Sequence, residues 1–200
     1  MHQENVRHIL LRINWGRKCK KMIRLRELKE KDASLMLEWM HDIDIQKSFK
    51  KRMLDTTIED AKRFVKEAQL DEELVSGMSL HFAIVDIDDE YLGTVSLKNI
   101  DFENRTAEYA IISRKKAHGL GVAFKATGLV LDKAFGDLGL QRIYLSVYSN
   151  NEAAIKLYEK CGFKYEGEFR NHFIIDDLYV GWKWYGMLKD EFNRNMFLEE

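Results

Sequence analysis

The sequence predicts one α+β domain with a mixed, mostly antiparallel twisted sheet of about seven strands, flanked by about four helices. Alternating apolar residues predict one strand near the start of the chain and a run of three strands in its middle. They predict three more strands in the last half of the chain, which also contains two helices. Short turns within the run of three indicate antiparallel neighbours. A helix-length segment between residues 106–113 and 142–148 indicates that these two strands are parallel. A chain of 200 residues with 46% hydrophobic content is sufficient for one such core.

The first third of the chain predicts one strand and two helices. Residues 22–28 alternate between apolar and polar side chains, as a half-buried strand does. Apolar residues at helical spacing then predict helices over residues 30–42 and 57–69. Thr56 or Thr57 can cap the second helix, and acidic side chains in its first turn suit the positive end of a helix.

The middle of the chain predicts three consecutive antiparallel strands. Residues 80–86 and 91–97 alternate on either side of a short acidic turn, which is typical of a hairpin. Residues 106–113 form the third strand of the run. Its side chains alternate between two faces, with Ala107, Tyr109 and Ile111 on one and Glu108, Ala110 and Ile112 on the other.

The last half of the chain predicts two helices and three strands. One helix begins after the glycine-containing segment at residues 118–123 and ends near Gly136. Asn150 or Asn151 can cap the next helix, and Gly162 closes it. The strands of this half lie at residues 142–148, 163–169 and 178–188.

Composition argues against several classes of function. The formal net charge of −1 implies no general attraction to nucleic acid or to a membrane surface. Cys19 and Cys161 form no disulfide framework, and no histidine pair has metal-ligand spacing. No apolar stretch has the length of a signal-peptide core or a membrane span. We therefore expect a cytoplasmic protein without a metal, a nucleic-acid partner or a membrane partner.

Charge also divides the chain into three predicted parts. Residues 1–21 contain six lysines and arginines against one acid, Glu4. We interpret this segment as a basic, frayed extension, with contact to an acidic partner such as RNA or DNA as the alternative. Residues 22–191 form the predicted domain, and residues 192–200 form a C-terminal tail.

The segment H-G-L-G-V-A at residues 118–123 is a candidate phosphate-binding loop, because it opens a helix whose N-terminal amides and dipole attract anions. A P-loop would need a Lys-Ser/Thr pair after Gly121, where Val122 and Ala123 stand instead. A dinucleotide loop would need a third glycine at Phe124 and an acid about twenty residues later, which the sequence lacks. The remaining interpretation is a loop that binds the diphosphate of a pantetheine nucleotide.

Two runs carry a resemblance to a known family. They are R-K-K-A-H-G-L-G-V-A-F-K-A at residues 114–126 and L-G-L-Q-R-I-Y-L-S-V-Y-S-N-N-E-A-A-I-K-L-Y-E-K-C-G-F at residues 138–163. Together they resemble the GNAT-type N-acetyltransferases, in the branch that acetylates ribosomal-protein N-termini, polyamines and amino sugars. The family loop Gln/Arg-x-x-Gly-x-Gly/Ala matches either His118-x-x-Gly121-x-Ala123 or Lys116-x-x-Gly119-x-Gly121. The histidine in the first register departs from the family pattern.

The resemblance implies acetyl-CoA as co-substrate and a GNAT-like fold. The pantetheine would pair like a strand with the backbone near residues 110–113, and the diphosphate would lie on the loop amides, with Arg114, Lys115 and Lys116 as counter-charges. Asn151 matches a cofactor-contacting asparagine of the family, although helix capping alone explains its presence. The cofactor-binding residues implied are Ala110, Ile111, Ile112, Ser113, Arg114, His118, Gly119, Leu120, Gly121, Val122, Ala123, Asn151 and Tyr158.

Two residues are candidate catalytic groups. Tyr158 matches the family tyrosine that protonates the departing CoA thiolate, although its spacing from Ala154 and Cys161 also suits a core position. Glu108 is the candidate base, acting through a water, because an alkylamine of pKa ~10.4 attacks a thioester only when neutral. A solvated glutamate on a strand face is the alternative interpretation. Cys161 has no histidine placed to activate it as a nucleophile.

The acceptor is a small-molecule or peptide amine, and its identity stays open at this point. The resemblance allows a nucleotide-linked amino sugar, slightly favoured by Y-L-G-T-V-S-L-K-N-I-D and F-K-Y-E-G-E-F-R, or a protein N-terminus, or a polyamine. The resemblance implies that the acceptor pocket is shaped by segments containing Trp39, His41 and the aromatic residues of 173–185. The alternative is that these aromatic residues belong to the hydrophobic core, as such residues commonly do. Asp176 and Asp177 could attract a cation. A homodimer is a further expectation, and a catalytically silent CoA-binding sensor is the alternative function.

Overall fold

The computed structural model describes residues 22–49, 52–69 and 74–198, and every structural statement below concerns these residues. The predicted basic extension at residues 1–21 lies outside them, as do the last two residues of the predicted C-terminal tail.

The seven strands form one sheet in the order β1-β2-β3-β4-β5-β7-β6. Only β4 and β5 are parallel, and every other pair is antiparallel. The mixed, mostly antiparallel seven-stranded sheet is therefore confirmed. The strands are β1 Arg24–Glu27, β2 Leu80–Val85, β3 Tyr91–Asp101, β4 Thr106–Ser113, β5 Arg142–Tyr148, β6 Lys164–Ile175 and β7 Leu178–Leu188.

The described residues form five α-helices rather than about four, because a short helix that was not predicted follows the segment predicted as a helix over residues 30–42. A 3-10 turn opens this segment, and the helix after it ends at Met40. The Asp42 carboxylate then accepts from the N–H groups of Asp44 and Ile45 at 3.0 and 3.1 Å and caps a new short helix. The helices are α1 Ala33–Met40, α2 Ile43–Gln46, α3 Ile58–Glu67, α4 Val122–Asp132 and α5 Glu152–Lys160.

Two strands are longer than the sequence predicted. β3 continues to Asp101 through an irregularity after Lys98, and β6 continues to Ile175 through two more. A two-residue turn closes the β6–β7 hairpin, with φ of 49° at Asp176 and 61° at Asp177. Positive φ at both central residues is typical of a turn that matches strand twist, so pairing continues to the hairpin tip.

The sheet separates two hydrophobic clusters. Helices α4 and α5 cover what we call the first face, where Tyr109, Leu131 and Ile143 are buried. Helices α1 and α3 cover part of the opposite, second face, where Met36 and Val65 are buried. The strand residues of the second cluster come from β2, β3 and β4. The side chains that β5, β7 and β6 present on the second face are mainly aromatic.

Candidate active site

Strands β4 and β5 pair over three residues only. The pairs are Thr106 with Arg142, Ala107 with Ile143, and Glu108 with Tyr144. Both strands continue well beyond, to Ser113 and Tyr148, so they diverge after Glu108. We call the space between the diverging ends the gap. Residues 109–112 pair with β3 on one side and have no strand partner on the side of the gap, which is the arrangement that accepts an extended ligand as an added strand.

The glycine loop follows β4 and ends at the N-terminus of α4. Gly119 and Gly121 have φ of 71° and 73°, where a side chain would be strained, and a Cβ atom at either would meet nothing within 4 Å. The first helical hydrogen bond runs from the Lys125 N–H to the Gly121 carbonyl at 3.1 Å. The N–H groups of residues 122–124 therefore point out of the helix without intrahelical acceptors, toward an open surface.

These loop features fit the diphosphate of acetyl-CoA. Free amides and the positive end of the α4 dipole favour an anion, and glycine lets the anion approach the main chain closely. The His118 imidazole lies elsewhere, with its Nε2 atom 3.2 Å from the Ser113 carbonyl oxygen. His118 therefore ties the loop to the end of β4.

The three predicted counter-charges are held by acidic side chains. The buried Arg114 guanidinium contacts both carboxylate oxygens of Glu38 at 2.7 and 2.8 Å, and it also contacts Glu90 at 3.0 Å. Lys115 pairs with Asp42 at 2.7 Å and lowers the pKa of that carboxyl, and Lys116 pairs with Glu90. These side chains connect the segment before the loop to α1 and to the β2–β3 turn, and their role as counter-charges near the diphosphate stays a prediction.

Tyr158 lies where the gap begins. Its ring packs edge-on against Tyr109, the first residue of β4 beyond the paired segment, with centroids 6.0 Å apart. The ring is only 8% exposed. The hydroxyl oxygen has no hydrogen-bond partner among the described residues and is not one of their fully enclosed polar atoms. Burial raises the pKa of Tyr158, so the phenol keeps its proton at neutral pH.

The buried region around Tyr158 also raises the pKa of thiol groups. Burial raises the pKa of the Cys161 thiol to about 12, and Cys161 is fully buried, so it is inert as a nucleophile. A departing thiolate that enters this apolar region would also become more basic, because desolvation disfavours its charge. That effect brings the proton affinity of the thiolate closer to that of the Tyr158 phenol.

Glu108 occupies the last paired position of β4 and points to the second face, whereas Tyr158 packs on the first face. Its carboxylate accepts from Lys98 Nζ at 2.8 Å and from Asn99 Nδ2 at 3.1 Å. These donors belong to β3, so they hold the carboxylate on the β3 side of β4. The two candidate catalytic residues lie near the start of the gap on opposite faces of the sheet.

Asn151 caps α5, as the sequence predicted. Its Oδ1 atom accepts from the Ala154 N–H at 3.2 Å. A contact between its remaining amide group and the cofactor stays a prediction.

The residues predicted to shape the acceptor pocket lie in three different places. Trp39 is buried and donates its indole N–H to the Tyr91 hydroxyl at 3.1 Å, so it belongs to the core. The Nε2 atom of His41 lies 2.8 Å from the Thr56 carbonyl, and Asp176 pairs with Lys47 at 2.7 Å. The aromatic residues divide between the two faces of β7, with Tyr185 buried in the first-face cluster.

Sequence reasoning missed the pair formed by His81 and Ser96. The His81 Nδ1 atom lies 2.7 Å from Ser96 Oγ, on adjacent strands of the second face. Burial and the nearby Lys98 ammonium lower the pKa of His81 to about 4, so this histidine is neutral at physiological pH. The only signal in the sequence was the strand alternation that places both residues on one face.

An unpaired main-chain edge, a glycine loop at a helix N-terminus and an enclosed phenol at the start of the gap together define an acyltransferase that uses a CoA thioester. Residues 23–164 match the sequence model of the Acetyltransferase (GNAT) domain. The chain belongs to this family, is an N-acetyltransferase and uses acetyl-CoA, as predicted.

Several known proteins similar to this chain are named as polyamine acetyltransferases. Spermidine N(1)-acetyltransferase of Escherichia coli K12 is 32% identical over 157 residues, which are 78% of this chain and 81% of that protein. The structure of spermidine N-acetyltransferase from Vibrio cholerae in complex with CoA and spermine has a TM-score of 0.74 at 26% identity, covering 84% and 96% of the two chains. A dodecameric structure of that enzyme has a TM-score of 0.68 at 26% identity, covering 84% and 95%.

Two features are absent from the described residues. None of their helices combines the length and apolar character that crossing a bilayer requires. They also contain no group of three or more histidine, cysteine or acidic side chains arranged to hold a metal ion.

Proposed function

We propose that this N-acetyltransferase works by direct attack of a primary amine on the thioester, in a ternary complex, with Glu108 as base and Tyr158 as acid. The observation that supports the proposal is that β4 diverges from β5 after Glu108, while Tyr158 packs against the next residue, Tyr109, on the opposite face of the sheet. In this arrangement the amine reaches the thioester from the second face, and the thiolate leaves toward the first face.

The cofactor would lie along β4 and over the glycine loop. Main-chain groups of Ala110 to Ser113 would pair with the pantetheine amides, and the amides of residues 119–123 would hold the diphosphate. These residues would bind the cofactor chiefly through their main chains. The loop therefore does not need side chains at His118 and Leu120 that bind phosphate.

Glu108 would prepare the amine. An alkylammonium of pKa ~10.4 is almost wholly protonated at neutral pH, so a proton must leave before attack. The Glu108 carboxylate is held in place by Lys98 and Asn99, and it would accept this proton through a water molecule. The nitrogen–carbon bond then forms as the carbon–sulfur bond breaks, and Tyr158 gives its proton to the leaving sulfur.

The acceptor is a primary amine on a small molecule or a peptide. The names of the relatives favour a polyamine, while the sequence runs at residues 91–101 and 163–170 resemble the amino-sugar branch. The V. cholerae relative has a dodecameric structure, which supports assembly of copies of this chain as well, and the predicted homodimer would be the smallest such assembly. We also propose a cytoplasmic location for the protein.

Intact-protein mass spectrometry tests direct attack. The protein incubated with acetyl-CoA and no amine should keep its unmodified mass, whereas addition of the accepted amine should release CoA and yield one acetylated amine per CoA. A stable acetylated protein that passes its acetyl group to the amine would overturn the mechanism, because it would show a covalent intermediate.

A further inference from the structure

One buried cation fixes the chain at the point where β4 ends. Arg114 directly follows β4, and its side chain is only 8% exposed. The guanidinium donates to both carboxylate oxygens of Glu38 on α1, at 2.7 and 2.8 Å. Its Nη1 atom donates to the Glu90 carboxylate at 3.0 Å and to the Tyr91 carbonyl at 2.8 Å. We call Arg114, Glu38 and Glu90 the anchor.

The anchor joins three distant parts of the chain. Helix α1, the β2–β3 turn and the end of β4 meet at the guanidinium, and Glu38 lies 76 residues from Arg114 in sequence. A two-pronged pairing between arginine and carboxylate fixes the orientation of both groups as well as their distance. The main-chain N–H of Arg114 also donates to the Leu92 carbonyl at 2.9 Å, so side chain and main chain are fixed at the same residue.

The glycine loop extends from the anchor to α4. Residues 115–117 form a 3-10 turn, in which Ala117 is buried, and residues 118–121 are exposed. The contact between His118 and the Ser113 carbonyl lies within this part of the chain, so it cannot hold the loop against the rest of the fold. The anchor and the buried Ala117 therefore set where the loop begins, and α4 sets where it ends.

The ion pairs around the anchor leave no excess of positive charge to attract a diphosphate. The three basic side chains at residues 114–116 contact four carboxylates, which are those of Glu38, Asp42, Asp44 and Glu90. A buried guanidinium that left its carboxylates to reach a phosphate would also leave charged groups unpaired, which destabilises a fold. These contacts favour a role in geometry over a role as a counter-charge.

Resting on the proposed function, in which the loop amides hold the diphosphate, we propose that Arg114 is a positioning residue for acetyl-CoA. Through Glu38 and Glu90 it holds the loop amides in the arrangement that the diphosphate requires. Binding then costs less ordering of the loop, so the anchor raises the affinity for acetyl-CoA. Helix α1, which carries Glu38, thereby acts on the cofactor site through Arg114.

Calorimetric titration with acetyl-CoA tests the proposal in the wild-type protein and in Glu38→Gln, which keeps the shape of the side chain and loses its charge. We expect the Kd to rise at least fivefold, because an amide cannot make the charged two-pronged contact. A counter-charge role for Arg114 predicts the opposite sign, since loss of a neighbouring carboxylate strengthens the attraction of the guanidinium for phosphate. Glu67→Gln, which removes an exposed carboxylate from α3, is the matched control and should leave the Kd within twofold. A Kd that is unchanged or lower in Glu38→Gln would overturn the proposal.

Arg114→Lys provides a second variant, because lysine keeps the positive charge and loses the planar fork. Its KM for acetyl-CoA should rise at least fivefold, while kcat at saturating acetyl-CoA changes less than twofold. Thermal unfolding separates this effect from a purely structural one. A lower melting temperature with a wild-type Kd would show that Arg114 only stabilises the fold, and the positioning role would be wrong.

Gly121→Asp separates failure of this proposal from failure of the proposed function. If Gly121→Asp weakens acetyl-CoA binding and Glu38→Gln does not, the loop holds the diphosphate and the anchor does not position it. If neither variant weakens binding, the diphosphate lies elsewhere, and both the loop assignment and the positioning role are wrong.

Discussion

At the scale of single residues, the position of Tyr158 explains its proposed role better than its sequence motif does. The Y-E-K-C-G-F ending predicted either a proton donor or a core tyrosine, and the structure shows features of both. The ring is buried against Tyr109 and Phe163, while the hydroxyl oxygen has no hydrogen-bond partner among the described residues and is not fully enclosed. Periodicity could predict the burial of the ring, but only long-range packing shows where the hydroxyl points.

Tyr158→Phe removes the proposed proton donor and keeps the packed ring. We expect kcat to fall at least ~100-fold, which is the lower range for loss of a general acid, while the acetyl-CoA Kd changes less than about threefold. Stopped-flow kinetics and calorimetry measure the two quantities, and Tyr165→Phe, on an exposed ring, serves as control. Turnover equal to that of the wild type would exclude Tyr158 as the acid.

Glu108→Gln removes the proposed base with little change in shape. The amine would then reach the thioester mostly protonated, so kcat/KM at neutral pH should fall ~10–100-fold and recover as the pH approaches the pKa of the amine. A pH profile of kcat/KM measures this, and Glu103→Gln, on the exposed β3–β4 turn, is the matched control. A profile that keeps the wild-type shape would show that the base is another group.

His81 should make the stability of the fold depend on pH. Its pKa is about 4 in the folded protein, below the ordinary value of 6.5, so the folded state binds fewer protons than the unfolded state between these values. Above pH 6.5 His81 is neutral in both states and does not change the free energy of unfolding. As the pH falls from 6.5 toward 4, this free energy decreases by about 3 kcal/mol, because the unfolded state binds the proton first. Urea unfolding over this range measures the change, and His81→Gln should flatten the curve. Identical slopes for the two proteins would contradict the assignment.

At the scale of elements, the sequence predicted the order of strands and helices but missed features set by side-chain contacts. The capping carboxylate of Asp42 starts a short helix, at residues 43–46, that was not predicted. Arg114, predicted as a counter-charge near the diphosphate, contacts Glu38 and Glu90, which lie 76 and 24 residues away in sequence. The divergence of β4 from β5 depends on strand register, which alternation of side chains does not define.

Gly121→Asp tests the glycine loop. A carboxylate at this position would repel the diphosphate and occupy the space where it lies, so acetyl-CoA affinity should fall at least ~10-fold by calorimetry. Gly121→Asn has the same shape without the charge and tolerates a positive φ, so the difference between the two variants isolates repulsion. Gly139→Asp, at φ 65° in another loop, controls for backbone strain. Equal affinities for Gly121→Asp and the wild type would mean that the diphosphate lies elsewhere.

At the scale of the whole molecule, one parallel pair within an antiparallel sheet creates the site. Because β4 and β5 join through α4, their parallel pairing can end early and open the gap beside an exposed glycine loop. The family resemblance predicted this architecture and the cofactor from local motifs. The contacts among the aromatic side chains of β5, β6 and β7 could not be predicted in the same way, since these strands come together only when the sheet is assembled.

The most direct test of the account is CoA release from acetyl-CoA, measured with a panel of primary amines. The account predicts that release requires an amine, that one acetylated amine appears per CoA, and that Tyr158→Phe nearly abolishes release while the protein still binds acetyl-CoA. Tight binding of acetyl-CoA without release in the presence of any amine would contradict it, and would identify the chain as a CoA-binding sensor.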